Sequence, residues 1–217
     1  MKKSRTARVL AGTAIVAAAG LLVGIAPSDA APTRTAATTT AVATVQAKAA
    51  KPALKASGLQ FGYKCWGRGS HCTVAVYAPK GWKFTQLSRE HAKFTDSSNT
   101  WMLRVNGGLG GKVSTTRAAD QRIHALRSVA SFKLVSRTSG TAPSKVGWSA
   151  PRVAYTQLTY TYRDGARSQR WVTTRFVDTF TSGRHAYIEL TVGGRPQDKA
   201  GLTKVLSEAT ERVALVG

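Results

Sequence analysis

Two apolar periodicities, met in a fixed order along the chain, limit what this sequence can fold into. Short β-branched and aromatic runs come first, at residues 73–77, from Trp82, at 91–94 and at 101–105. Between them lie turn-forming residues, Pro79 and Gly81 in one case and the run 96–99 in the other. The period then becomes helical from about Thr116. Ala119, Ile123, Leu126 and Ala130 fall on one face, with Arg117, Arg122 and Arg127 off it. Residues 132–135 read as a further strand, and 139–150, with Gly140, Pro143 and Gly147, as a loop. A meander follows. In 153–162 the residues Leu158, Tyr160 and Tyr162 share a face, Asp164 and Gly165 signal a hairpin, and 171–180 is the partner strand. After a turn at Ser182 and Gly183, Ala186, Ile188, Leu190 and Val192 line a last strand. Pro196 opens a final helix whose stripe is Leu202, Val205, Leu206, Ala209 and Val213, with Glu208 and Arg212 spaced to pair. Antiparallel runs with segregated helices predict the α+β class, a single domain of antiparallel β-sheet flanked by helices over residues 58–217.

The first residues predict the compartment. Lys2, Lys3, Arg5 and Arg8 precede an apolar stretch at 9–25, and Ser28 and Ala30 suit a cut after residue 30. Residues 1–30 therefore read as a signal peptide, with a retained membrane anchor as the alternative. No later run is long and apolar enough to span a membrane. Residues 31–57 are Ala and Thr with scattered Lys and no aromatic residue, a composition that predicts a disordered linker. Cys65 and Cys72, the only cysteines, read as one disulfide in a secreted chain. Zinc is the weaker reading, because His71 beside them leaves a fourth ligand missing.

Charge is the second strong feature. The chain carries 32 Lys and Arg against 10 Asp and Glu, a formal net charge of +22. A surface this basic attracts anionic polymers, or serves only to keep the protein soluble.

The chemistry-bearing residue types do not assemble into a recognisable catalytic motif. The run ending Gly110, Gly111, Lys112 is not a phosphate-binding loop, because Asn106 stands where its first glycine belongs and Val113 where its hydroxyl belongs. His71, His91, His124 and His185 occur in no nucleophile or metal motif. Asp96 and Asp164 read as turn residues, and Glu208 and Glu211 as solvated helix positions. The sequence thus points to no enzyme, no cofactor and no metal site. Two candidate binding groups remain. One is Trp66, Arg68 and His71 on the disulfide loop, with Trp66 as a core residue the competing reading. The other is Arg163, Arg167 and Arg170 beside the Asp164 hairpin, where a solvated basic face is the competing reading. Tyr155 is a candidate outward aromatic.

Several short patterns carry a family resemblance. They are the residues 79–82 (Pro, Lys, Gly, Trp), 94–96 (Phe, Thr, Asp), 103–105 (Leu, Arg, Val), 160–162 (Tyr, Thr, Tyr) with Asp164 and Gly165, and 175–177 (Arg, Phe, Val). Together they resemble the PsbP-like extracellular domains of actinobacterial secreted proteins and of Ser/Thr kinase sensor regions. The resemblance implies an α/β/α sandwich over most of 73–213 and no catalytic residues. The cysteine loop is an addition to it, and no kinase domain accompanies it. The resulting expectation is a secreted, monomeric, non-catalytic binding domain, extracellular or associated with the cell wall. Its partner would be an anionic envelope polymer or an extracellular protein, with nucleic acid and anionic membranes as the alternatives.

Overall fold

The structure, a computed structural model, describes residues 51–147, 151–165, 168–180 and 184–216. The predicted leader, most of the predicted linker, Trp148, Arg167 and the turn at 182–183 lie outside the described residues.

A 3-10 turn, Ala56–Gly58, is followed by strands β1 (Phe61–Trp66), β2 (Val74–Pro79), β3 (Lys83–Gln86), β4 (His91–Thr95) and β5 (Met102–Asn106). Helix α1 (Thr115–Leu126) precedes β6 (Lys133–Pro143), β7 (Arg152–Arg163), β8 (Gln169–Asp178) and β9 (Ile188–Gly194). A second 3-10 turn, Pro196–Asp198, leads into α2 (Lys199–Glu211), and β10 (Ala214–Leu215) ends the fold. The main sheet has seven antiparallel strands in the order β3-β4-β5-β9-β8-β7-β6. A smaller sheet has the order β1-β2-β10. The expected α+β architecture of antiparallel sheet flanked by helices is present.

Strand alternation divides the packing into two layers. On one face of the main sheet, Phe94, Leu103, Val105, Ile188, Leu190 and Val192 meet α2 and the small sheet. On the other face, Leu158, Tyr160, Val172 and Phe176 meet Ala118 and Ala119 of α1. Ser114 caps α1 by accepting from the backbone N–H of Arg117 at 3.1 Å. Leu202, Val205, Leu206, Ala209 and Val213 are all buried, as their helical spacing requires. Ala186 departs from its expected row. It lies before β9 begins and is buried in the α1 layer, away from Ile188, Leu190 and Val192.

Three further stretches differ from the sequence reading. Residues 61–66 form β1, a strand the reading did not assign, paired along its length with β2. Residues 139–143 continue β6 rather than forming loop. This strand is the outer edge of the sheet, where a proline needs no partner on its free side. Residues 51–57, assigned to the linker, belong to the fold. Leu54 is buried against α2, and a Cβ on Gly201 would lie 2.4 Å from its Cγ, so only glycine admits it there.

A single carboxylate fixes this junction. Asp198 is fully buried. Its Oδ1 accepts from the Leu54 backbone N–H at 3.0 Å and from Arg195 Nη2 at 2.8 Å. Its Oδ2 accepts from the Arg195 backbone N–H at 3.0 Å and from Arg195 Nε at 2.8 Å. Arg195 reaches on to the carbonyls of Lys51 and Pro52 at 2.6 and 2.8 Å. Removing the carboxylate would leave a guanidinium without its counter-charge and the Leu54 N–H without its acceptor. Asp198→Ala is therefore expected to cost about 3–5 kcal/mol in urea unfolding, and a loss below about 1 kcal/mol would contradict this role.

Candidate functional site

The disulfide Cys65–Cys72 is present, with Cα atoms 5.6 Å apart. Its loop is tightly drawn in. The Thr73 N–H donates to the Trp66 carbonyl at 2.8 Å, and the His71 N–H to the Arg68 carbonyl at 3.1 Å. A Cβ on Gly67 would fall 2.0 Å from the His71 carbonyl oxygen, so the turn requires glycine. The structure separates the three residues expected to act together here. Trp66 is 5% exposed, and its ring packs at 5.9 Å from Phe84 and 6.2 Å from Phe94. Pairing of Trp66 with Val74 points it into the core, so it is not a ligand platform. Arg68 and His71 remain exposed at the tip.

The hairpin arginines separate as well. Arg170 pairs with Tyr162 and Arg163 with Gln169, adjacent positions in the register, so the two side chains leave opposite faces of the sheet. Arg167 lies outside the described residues. Tyr155 is no free stacking surface. Its ring is partly buried against the core, with the Arg175 guanidinium 4.3 Å from its centroid.

Arg170 does border a cleft of about 340 Å³, lined by Ser98, Asn99, Thr100, Ser168, Arg170 and Arg195. Arg195 is committed to Asp198. Arg170 donates from Nη1 to the Thr100 carbonyl at 2.9 Å, while its Nε is buried with no hydrogen-bond partner among the described residues. The cleft thus presents hydroxyls and the guanidinium of Arg170, residue types suited to an oxyanion. A second cleft of about 270 Å³ opens beside α1. Tyr160, Tyr162, Met102 and Val172 form its apolar wall, and Arg104, Arg122 and Glu189 its polar end.

Sequence reasoning gathered cations by nearness along the chain, whereas the sheet gathers them by parity. Lys83, Lys93 and Arg104, which it passed over, lie on the same face as Arg170 and Val172, through the matched positions Lys83–Thr95, Thr95–Met102, Met102–Gly193, Gly193–Val172 and Lys93–Arg104. The signal was their alternation with Phe84, Phe94 and Leu103, which point to the core. Arg122, expected to lie off the apolar face of its helix, turns instead to Glu189, bonding both carboxylate oxygens at 2.5 and 2.6 Å.

The acidic side chains have gone the other way. Asp96, Asp178, Glu189 and Asp198 are all buried. Asp178 accepts from the backbone N–H groups of Phe180, Arg184 and His185 at 2.7–2.9 Å. Glu208 and Glu211, expected to be solvated, are largely covered. Glu208 is paired with Lys204 at 2.7 Å and Arg212 at 3.4 Å, and Glu211 with Lys145 at 2.5 Å. Asp120 pairs with Arg137 at 3.1 Å. Arg68, Arg89, Arg117, Arg127, Lys133 and Arg163, by contrast, make no ion pair among the described residues.

Burial alone would raise the carboxyl of Asp96. The Lys51 ammonium and hydrogen bonds from Ser98 and Trp101 outweigh it and hold the group down at about 2. Asp198 is lowered in the same way, its burial outweighed by Arg195 and the Leu54 N–H, and Glu208 is lowered by Lys204. Carboxylates depressed in the folded state contribute stability that is complete above their unfolded values of about 4, and that is lost as pH falls through the folded ones. The melting temperature is expected to vary little between pH 7 and about 5 and to fall steeply between about 4 and 2. A melting temperature maintained at pH 2 would contradict the assignment.

No family model and no curated protein matches this chain. Among solved structures it is similar to the Ran-binding protein Mog1p of Saccharomyces cerevisiae, at 6% identity and a TM-score of 0.46, over 72% of this chain and 97% of that one. It is also similar to LpqN of Mycobacterium tuberculosis, described as involved in cell envelope biogenesis, at 10% identity and a TM-score of 0.40, over 77% and 100%. PA94 of Pseudomonas aeruginosa, of unknown function, gives 13% identity and a TM-score of 0.37, over 73% and 96%. At these values no property of those proteins passes to this chain. Among the described residues no helix is long and apolar enough to cross a membrane, and no group of three or more His, Cys, Asp or Glu could hold a metal ion.

Proposed function

We propose that this protein is a secreted, non-catalytic binding domain that acts at or near the bacterial cell envelope on an anionic ligand. One observation carries the reading. The buried and ion-paired carboxylates serve the fold, while many cations stand on the surface without an acidic partner. A surface so divided draws polyanions by long-range attraction and has little negative charge to repel them. The leader-like first residues support an extracytoplasmic setting. The disulfide is in keeping with an oxidising one. A polar cleft bordered by Arg170 gives the attraction a short-range complement.

The test is co-sedimentation of the protein with isolated bacterial walls, with and without their anionic polymer, across a salt series. Saturable retention that requires the polymer and weakens as salt rises is expected, because releasing condensed counterions makes such binding salt-dependent. Equal retention on stripped walls, or none at low salt, would overturn the proposal.

A further inference from the structure

The main sheet is covered unevenly, and the uncovered part is where its cations collect. Helix α1 lies over β7 and β8. Beyond it, the same face of β5, β4 and β3 displays Arg104, Lys93 and Lys83, with Lys83 and Arg104 exposed and Lys93 half-buried. Lys93 stands directly opposite Arg104 across the β4–β5 pair. Lys83 is diagonal to Lys93, since it pairs with Thr95. Directly opposed side chains have Cβ atoms about 5 Å apart and diagonal ones about 7–8 Å, and like charges so placed destabilise a sheet. The other positions in these rows are Thr85, Thr95, Met102 and Thr191, none of them acidic. Of the acids flanking these rows, Glu189 is held by Arg122, Asp96, next to Thr95, by Lys51, and Glu90 lies at the far end beyond His91. On the opposite side the rows run through Met102 and Gly193 to Val172, where the half-buried Arg170 follows.

A repulsive arrangement whose diagonal acid, Glu189, is already paired with Arg122 calls for an external counter-charge. We infer that the open face of β3, β4 and β5 seats a phosphodiester polymer without bases, whose phosphates are held by Lys83, Lys93 and Arg104, with Arg170 at the end of the track. The inference rests on the reading of this protein as a polyanion binder and locates that activity. Nucleic acid is the less suited occupant. Readers of single strands add exposed aromatic faces to their cations; here Tyr160 beside Arg104 is buried, Tyr162 only half-exposed, and the exposed Tyr63 and Phe180 are not on these strands.

The experiment compares the protein with its double variant Lys93→Gln/Arg104→Gln. A second double variant, Arg117→Gln/Lys133→Gln, lowers net charge equally at positions away from this face. Binding of a short synthetic poly(glycerol phosphate), and of an oligothymidylate with the same number of phosphates, is followed by calorimetry across a salt series. The expected result for the first variant is a loss of about tenfold or more in affinity and a salt slope shallower by about 1.5. Its melting temperature without ligand is expected to rise by about 1–3 °C as the repulsion is relieved. The second variant is expected to stay within about threefold of the unaltered protein. Equal losses in both variants would overturn the site and leave only bulk charge. A lowered melting temperature in the first variant would make the pair a structural feature. Tighter binding of the oligothymidylate would give the face to nucleic acid and overturn the commitment to a base-free polymer. No binding of either probe by the unaltered protein would overturn the underlying polyanion reading as well.

Discussion

The carboxylate of Asp198 has no contact with solvent, yet three parts of the chain depend on it. It holds the backbone of Leu54, and so the segment that enters the fold, and it holds Arg195 where β9 passes into α2. Arg195 in turn binds the carbonyls of Lys51 and Pro52. A buried charge is tolerable only when paired and fully hydrogen-bonded, and here both conditions are met. The same solution recurs with different partners. Glu189 is locked by Arg122, and Asp178 by three backbone N–H groups. Asp96 is held by Lys51 and by the turn it caps. The four buried acids of a strongly basic chain are thus placed where each organises a junction.

That placement shapes the surface. With four acids buried and others already paired, many surface cations have no acidic partner among the described residues, which leaves the surface strongly positive. Where the sheet is covered by a helix, its face is apolar and closed. Where α1 stops short, the face carries lysine and arginine in register across β4 and β5. Stability alone would not select an opposed Lys93 and Arg104. Their presence on the uncovered strands is what the proposed anionic partner would neutralise.

Much of the fold was legible because periodicity survives in the sequence. The α2 stripe at Leu202, Val205, Leu206, Ala209 and Val213 is buried at every position. The alternation of Leu158 with Tyr160 correctly sets the face that meets α1. What escaped depended on tertiary partners. Leu54 sits in a spacer-like composition and is ordered by Gly201 and Asp198, both more than a hundred residues away in the chain. The β1 strand is interrupted by Gly62 and Lys64 and has meaning only beside β2. Pro143 reads as a breaker unless its strand is known to be an edge. The site residues followed the same rule. Trp66 resembled a loop platform until its pairing with Val74 turned it inward. Arg163 and Arg170 were separated by a parity that only the hairpin register supplies.

The most direct measurement of the central claim is a residue-resolved map of contact. Backbone amide chemical shifts of the isotopically labelled protein would be followed by NMR as poly(glycerol phosphate) is titrated in at low salt. The largest changes are expected along 83–86, 91–95 and 102–106 and around Arg170, with the disulfide loop at 67–71 little affected. Changes concentrated on that loop, or spread evenly over every basic residue, would contradict the account.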